Sequence, residues 1–581
     1  SDTMKYLRSD SSNGQGNTNA DTTKDFGGWA SNGFLLGAPF DLGVDALNNS
    51  AGDNYVSWTF RKAPGFFDVV KYTGTGSTPQ SIPHNLGCVP GFIIVKNLDD
   101  TGGRTWRCYH SGMGNNHYLR LDDDALKDQH ENTWNQTNPT STHFTVGSEG
   151  DVNRLDDEHI AYIFADGSDA ASAVFGTDGD EKIIKCGSYT GTSGAEEIDC
   201  GFEPQWVLIK KTGPSFDANW VIFDVMREWN VANDSHSLML DLPNSENTGA
   251  GVIHPTPTGF KAVSNDSTQG DNGSEYVYVA IRRPHKPPAA ATDLFSISTA
   301  AINTTYSTGF NVDWVISKGR GGTSGYLGAR LLANDKFLIP NTNDTLSNSS
   351  NGWKFDLSDS FVQGQIGTNP ITYAWSRAPG FFDVVTYEGT GSAQNIPHNL
   401  GVKPELIIVK DLDNGSSWAI QAGPLGATDR LRWPSNGGTS PITSYWNDTE
   451  PTSTVFTVGS DGNTGASSSY VGFLFASLDG ISKVDTYDAS SSDIDVNCGF
   501  SPRFVLIKAA NISGEWYIYD TVRGIAEGND NRLMLSGTTS ENSSDDSIDL
   551  LSDGTGFKVE GGDSYINSTT GGAKFLYLAI A

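Results

Sequence analysis

The residues whose types could do chemistry recur along this chain, and their recurrence governs how they are read. His84 lies in Ile82-Pro83-His84-Asn85-Leu86-Gly87, and His398 in Ile396-Pro397-His398-Asn399-Leu400-Gly401. An imidazole there offers a metal or glycan contact. A His beside Asn and ahead of Gly also suits a turn held by local hydrogen bonds, the reading preferred here. Asp224 with Arg227, and Asp520 with Arg523, repeat a carboxylate three positions before a guanidinium. A general acid beside an electrophilic Arg is one reading; an ion pair that fixes a turn is the preferred one. Five lysines, Lys96, Lys210, Lys318, Lys410 and Lys508, each close an apolar run. They could bind anionic sugars or extend along the sheet rim toward water.

Aromatic faces stack on sugar rings and anchor interfaces. Trp106, Trp220, Trp418 and Trp516 recur at one place in the repeat, which points to a core or inter-module position. Trp134 and Trp433 fall off the pattern and are expected to be exposed. With His84 and His398 they form the set of candidate surface-binding residues. Asp122-Asp123-Asp124, Asp178-Gly179-Asp180 and Asp411-Leu412-Asp413-Asn414-Gly415 gather the oxygen ligands that calcium takes, yet none completes an EF-hand loop. No Ser/His/Asp constellation, phosphate-cradling Gly loop or HExxH pattern occurs. The expectation is a protein that is not an enzyme and has no cofactor, calcium being the one ion its loops would suit.

These residues are positioned by repeats. Ala63-Pro64-Gly65-Phe66-Phe67-Asp68-Val69-Val70 returns as Ala378-Pro379-Gly380-Phe381-Phe382-Asp383-Val384-Val385, and Cys200-Gly201-Phe202 as Cys498-Gly499-Phe500. Inside this long period runs a shorter one of about 100 residues, the size of a small β-sandwich. Each short unit has an apolar run ending in Lys, such as Pro90-Gly91-Phe92-Ile93-Ile94-Val95-Lys96 or Pro502-Arg503-Phe504-Val505-Leu506-Ile507-Lys508. A short β-branched run opened by Pro reads as a buried strand. Each unit closes on an aromatic strand, for example Tyr276-Val277-Tyr278-Val279 or Tyr373-Ala374-Trp375.

The pattern predicts an all-β chain, a tandem array of β-sandwich-like modules, five whole and one half, of three types in the order a, b, c, a, b, c. Residues 1–62 carry only the second half of an a module, with strands expected at Tyr6-Leu7-Arg8, Gly33-Phe34-Leu35 and Tyr55-Val56-Ser57-Trp58. Residues 63–170 form a b module and 178–283 a c module. The Pro-rich stretch 284–291 reads as a stiff linker. Residues 292–377, 378–477 and 481–581 then form a second a, b and c. Residues 64–283 and 379–581 are expected to superpose.

Composition narrows the partners. The 581 residues carry a formal net charge of −31. Phosphate backbones repel such a chain, so nucleic acid is not an expected partner. No apolar run is long enough to span a membrane, and no signal peptide is seen. The chain opens on Ser1, which suggests processing or part of a longer product. The cysteine count, 5, is odd and no CxxC occurs, so neither a disulfide framework nor a zinc site is expected.

Tyr72-Thr73-Gly74-Thr75-Gly76, Ile82 through Gly87, Pro90 and Ile93-Ile94-Val95-Lys96 resemble a module of tail-fibre and other virion structural proteins of tailed bacteriophages, notably marine phages and cyanophages. The second b module repeats them at Tyr387 through Lys410, and the first c module at Tyr189 to Gly191 and Gly201 through Lys210. The resemblance is weakest at 292–377, where Val312 replaces the Pro. It implies a virion-surface or extracellular structural protein, a tail fibre or fibre-like component that attaches to the host surface. Its partners would be other virion or fibre subunits and a host glycan or protein receptor, in a homo-oligomer, with a trimer as the expected form. It carries over no catalytic residue. The alternative is a non-viral extracellular adhesin or filament subunit, joined by strand complementation at the N-terminal half module.

Overall fold

The structure is a computed structural model that describes residues 5–17, 26–31, 33–36, 54–100, 103–176, 178–232, 235–248, 253–262, 268–364, 369–525, 528–568 and 572–581. It is all-β, a tandem set of modules made of small antiparallel sheets. Among the described residues, no helix is long and apolar enough to cross a membrane.

One strand order recurs. In the first b module, Phe67–Thr73, Glu158–Ala165, Pro90–Asn97 and Arg107–His110 lie side by side in that order. Gln80–Pro83 pairs separately with His143–Val146. The first strand thus pairs with the last, the last with the third, the third with the fourth, and the second with the fifth. The a module repeats this with Phe295–Ser298, Pro370–Trp375, Trp314–Gly319 and Gly325–Ala329, plus Thr305–Ser307 on Ser360–Val362. Both c modules and the second b module have the same order, so 64–283 and 379–581 share their connectivity. Each module is a large sheet covered on one face by a small one.

The third strand shows why its sequence is apolar throughout. Successive side chains of a strand point to opposite faces. Ile407 and Val409 face the small sheet of their own module, with Phe456 and Trp446. Leu406 and Ile408 face the other way, into a core shared with the a and c modules. Val505 and Ile507 against Phe504 and Leu506 repeat the division, as does Val315 against Trp314 and Ile316. A strand buried on both faces cannot alternate with polar residues. The large sheets of residues 291–581 therefore enclose one common core. At its centre the Trp314 ring lies 4.7 Å from Phe473 and 5.4 Å from Phe382, and Phe295 lies 5.5 Å from Phe504. This closed group of a, b and c is called the second triad.

In the first triad the b and c sheets again share a core, with Trp58 and Phe60 half-buried against it. Of the three expected N-terminal strands, the first two are present and the third is not. Lys5–Tyr6 pairs with Gly16–Asn17, and Phe26–Ala30 with Gly33–Leu36. Tyr55-Val56-Ser57-Trp58 lies in no strand. The corresponding Pro370–Trp375 is held between Phe295–Ser298 and Trp314–Gly319, and among the described residues of 1–62 neither has a counterpart.

The expected linker, 284–291, has no ladder of its own before the short turn that begins at Ala291, but Arg283 beside it is bound into a buried ionic cluster. All five cysteines are buried and unpaired.

Candidate functional site

His84 and His398 are buried turn residues. His84 Nδ1 accepts the Leu86 N–H at 3.3 Å, and its Nε2 lies 3.1 Å from the Thr140 carbonyl. His398 repeats both contacts, with Leu400 and Thr452. Burial lowers the basicity of both rings. The same turn is fastened by the Asp of the Phe-Phe-Asp repeat: Asp68 accepts the Asn85 N–H at 2.8 Å and Asp383 the Asn399 N–H at 2.7 Å. Gly87 and Gly401 end it at φ of 76° and 75°, a backbone that favours glycine.

Trp134 and Trp433 are not surface residues, which corrects the expectation of exposed contacts. Trp134 is 2% exposed, donates to the His117 carbonyl at 3.0 Å and packs edge-on against Tyr109. Trp433 is fully buried between Trp418 and Trp516, where the second b and c modules meet. Its strand, Asp429–Trp433, buries Leu431 and Trp433 and leaves Arg430 and Arg432 less covered. That period-2 alternation was the available signal.

The five lysines hold the modules together. All are fully buried. Each Nζ donates to carbonyls of the module before it in a triad as well as to its own loop. Lys96 reaches Ser12 at 2.9 Å, and Lys210 reaches Asp124 at 2.7 Å. In the second triad Lys410 of b reaches Asn343 of a at 3.4 Å, Lys508 of c reaches Gly437 of b at 3.1 Å, and Lys318 of a reaches Gly537 of c at 2.6 Å. The last contact closes a ring. Main-chain bonds follow the same circuit: Leu346 N–H to the Leu412 carbonyl, Thr439 to Ala510, and Glu541 to Arg320. Two carbonyls, three at Lys508, replace part of the hydration of each ammonium, but burial still pulls Lys210, Lys318, Lys410 and Lys508 down to about 8. Sequence alone could not reveal these joints, because the carbonyls they use belong to other modules.

The repeated Asp–Arg pairs are structural. Arg523 Nε lies 2.5 Å from Asp520, and Arg227 Nε 2.7 Å from Asp224, both inside. A second ionic cluster joins the triads. Glu203 of the first c module contacts Arg283 at 3.1 Å and Arg377 at 2.7 Å, and Arg283 continues to Asp383 at 2.8 Å. All four are buried, so their geometry fixes how the triads meet.

The acidic loops are locally satisfied or open to water. Asp411 accepts the N–H groups of Asp413 and Asn414 and the Ser468 hydroxyl. Asp123 pairs with Arg120, and Asp178-Gly179-Asp180 is exposed. Among the described residues, Asp546, Asp549 and Glu560 bring carboxylate oxygens within 4.8 Å of one another, but Lys558 sits among them, 2.7 Å from Asp549.

A 310 Å³ cleft lies between the triads. His254, Thr256, Lys261 and Glu197 of the first c module face Tyr387, Gln394 and Asn395 of the second b module. His254 Nε2, Thr256 Oγ1 and Gln394 Oε1 are buried without a hydrogen-bond partner. Burial, helped by nearby Lys261, holds His254 down at about 4, so it is neutral near pH 7. Neutral donors and acceptors of this kind suit hydroxyl-bearing ligands. No sequence repeat marks the cleft, since it forms only where a c module meets the next b.

The fold and these sites define a modular all-β protein whose repeated charged and aromatic residues build joints between modules. A family model described as a domain of unknown function, DUF7483, matches residues 2–284 and 332–581. The chain belongs to that family. No curated protein matches it.

Proposed function

We propose that this chain is a structural protein of a tailed-bacteriophage particle, a tail fibre or fibre-like surface component that helps attach the particle to its host. The observation that carries this reading is the lysine circuit. Residues whose types could bind or react are instead occupied in fixing module to module, as a rigid scaffold requires. The resemblance of the b and c modules to virion proteins supports the same reading, as does the net charge of −31 on a chain of tandem β modules. The cleft at His254 and Gln394 supplies a place for a neutral glycan, and repeated weak contacts would add through effective concentration.

An antibody raised to residues 379–581, used for immunogold electron microscopy of particles from the source, tests the reading. Gold on tails or fibres is expected; its absence from all particles overturns the proposal. A second reading, a filament-forming adhesin, draws on the open first triad. Gold on particle-free fibres would favour it.

A further inference from the structure

Among the described residues the second triad closes and the first does not, although matching b and c surfaces occur in both. In the second, the Tyr373 hydroxyl donates to Asp520 at 2.7 Å and accepts from Arg523 at 3.2 Å. In the first, Trp58 takes that place: its Nε1 donates to Asp224 at 3.1 Å and its ring lies 5.4 Å from the Arg227 guanidinium. Phe60 lies 6.0 Å from Trp206, as Trp375 lies 5.7 Å from Phe504. Residues 54–60 thus occupy the seat of the last a strand, held by side chains and in no ladder.

What flanks that seat differs. In the second triad Phe295–Ser298 and Trp314–Gly319 pair along both edges of Pro370–Trp375. In the first, a 270 Å³ opening lies there, lined among others by Trp58, Phe60, Phe66, Trp206 and Met226. Phe66 is half-buried where Phe381 is fully buried. Leu242, 36% exposed, stands where Gly537 receives Lys318. Glu246 stands where Glu541 takes a two-pronged contact from Arg320, at 2.6 and 2.9 Å. Glu246 is instead held from its own module, by Arg227 at 3.0 Å and His236 at 3.3 Å.

The family match points the same way. Its two stretches open at corresponding points, residues 2 and 332, and the segment between them contains the strands that complete the second triad.

We propose that the open face of the first triad is a docking site for a polypeptide partner built like residues 291–332. Such a partner carries two extended aromatic strands, the second ending in Lys and Arg. The strands add to both edges of residues 54–60, an instance of recognition by strand addition. The Lys reaches main-chain carbonyls near Leu242, and the Arg pairs with Glu246. The inference stands apart from the virion reading, since it concerns a surface of the chain whatever particle carries it.

The test adds a fragment of residues 291–332 to the full chain and follows the complex by native mass spectrometry and tryptophan fluorescence. One fragment per chain is expected. Arg320→Glu in the fragment should weaken binding about tenfold or more, and Glu246→Arg in the chain should restore binding of that altered fragment. Absence of a complex, or binding indifferent to Arg320→Glu, overturns the proposal. To separate this from poor fragment solubility, the same segment is fused ahead of residue 1 through a flexible Gly/Ser linker. Quenching of tryptophan emission by iodide should then fall by the share that Trp58 contributes, measured against a Trp58→Phe control, as Trp58 is covered. Unchanged quenching overturns the proposal. So does a dimer of the unmodified chain that Glu246→Arg dissociates, because a second copy would then occupy the face.

Discussion

The b and c modules occur twice in this molecule, and the second time they meet a complete a sheet and, at the b module, the preceding c module. With the a sheet present, Val384, on the face turned to the shared core, is 1% exposed; Val69, its counterpart in the first triad, is only half-buried. The sequence Phe-Phe-Asp-Val-Val is the same in both. Burial here belongs to the assembly of modules, and the apolar inner face of each large sheet is complementary to two other sheets.

Cutting the centre out of each triad should break the comparison most sharply. Trp314→Ala is expected to destabilise the second triad by about 3–5 kcal/mol, the range for a large buried aromatic. Phe60→Ala, at a half-buried position, should cost the first triad about half as much. Denaturant unfolding followed separately for each triad would show this, and equal losses would mean that the first triad is as closed as the second.

The ion pairs give the next largest contrast. Arg523→Ala leaves Asp520 buried beside Tyr373 and should cost about 3 kcal/mol. Arg227→Ala should cost nearer 1–2 kcal/mol, because Asp224 keeps the Trp58 and Met226 N–H donors at a more open site. Thermal melts of the two variants test the order.

The joint between b and c is complete in both triads, so Lys210→Met and Lys508→Met should have equal effects, about 1–2 kcal/mol each at pH 7. Their pH dependence has a definite sign. Each lysine titrates near 8 in the folded chain and near the ordinary 10.5 when unfolded. The unfolded chain therefore holds more protons between those values, and the lysine's contribution rises with pH across that window. Relative to each variant, the parent should gain stability from about pH 8 to 10.5. A flat difference would show that burial does not shift the ammonium.

The smallest expected effect is a gain. Asp241 stands where the second triad has Ser536. Burial pushes its carboxyl up to about 6, above the ordinary 3.8. A raised acid favours the folded state below its unfolded value and loses that contribution as pH rises through about 6. Asp241→Ser should thus stabilise the first triad by about 1–2 kcal/mol at pH 7 and by nothing near pH 3. Calorimetry at the two values distinguishes this from a pH-independent packing effect.

Much of the fold was legible because it repeats. Phe-Phe-Asp and His-Asn-Leu-Gly recur together, and the structure shows why: the Asp carboxylate holds the backbone of the His turn. The unbroken apolar third strand also read as buried, although only the structure shows that both faces are covered and that the second meets other modules. Trp134 and Trp433 were misplaced because departure from a repeat was read as exposure. Each fills a space particular to its own module or joint. Residues 55–58 have strand-like sequence without a strand's partners, a distinction that depends on chain elsewhere.

The head-to-tail circuit of Lys318, Lys410 and Lys508 has one more consequence. An assembly of identical subunits must display any outward feature as many times as it has subunits. Here the corners of the triangle are separate stretches of one polypeptide, so each can change alone. The loop at Asp411 lies at a single corner, and the cleft at His254 forms only where the first c module meets the second b module. One gene can vary the face shown to the surroundings while the joints beneath stay constant.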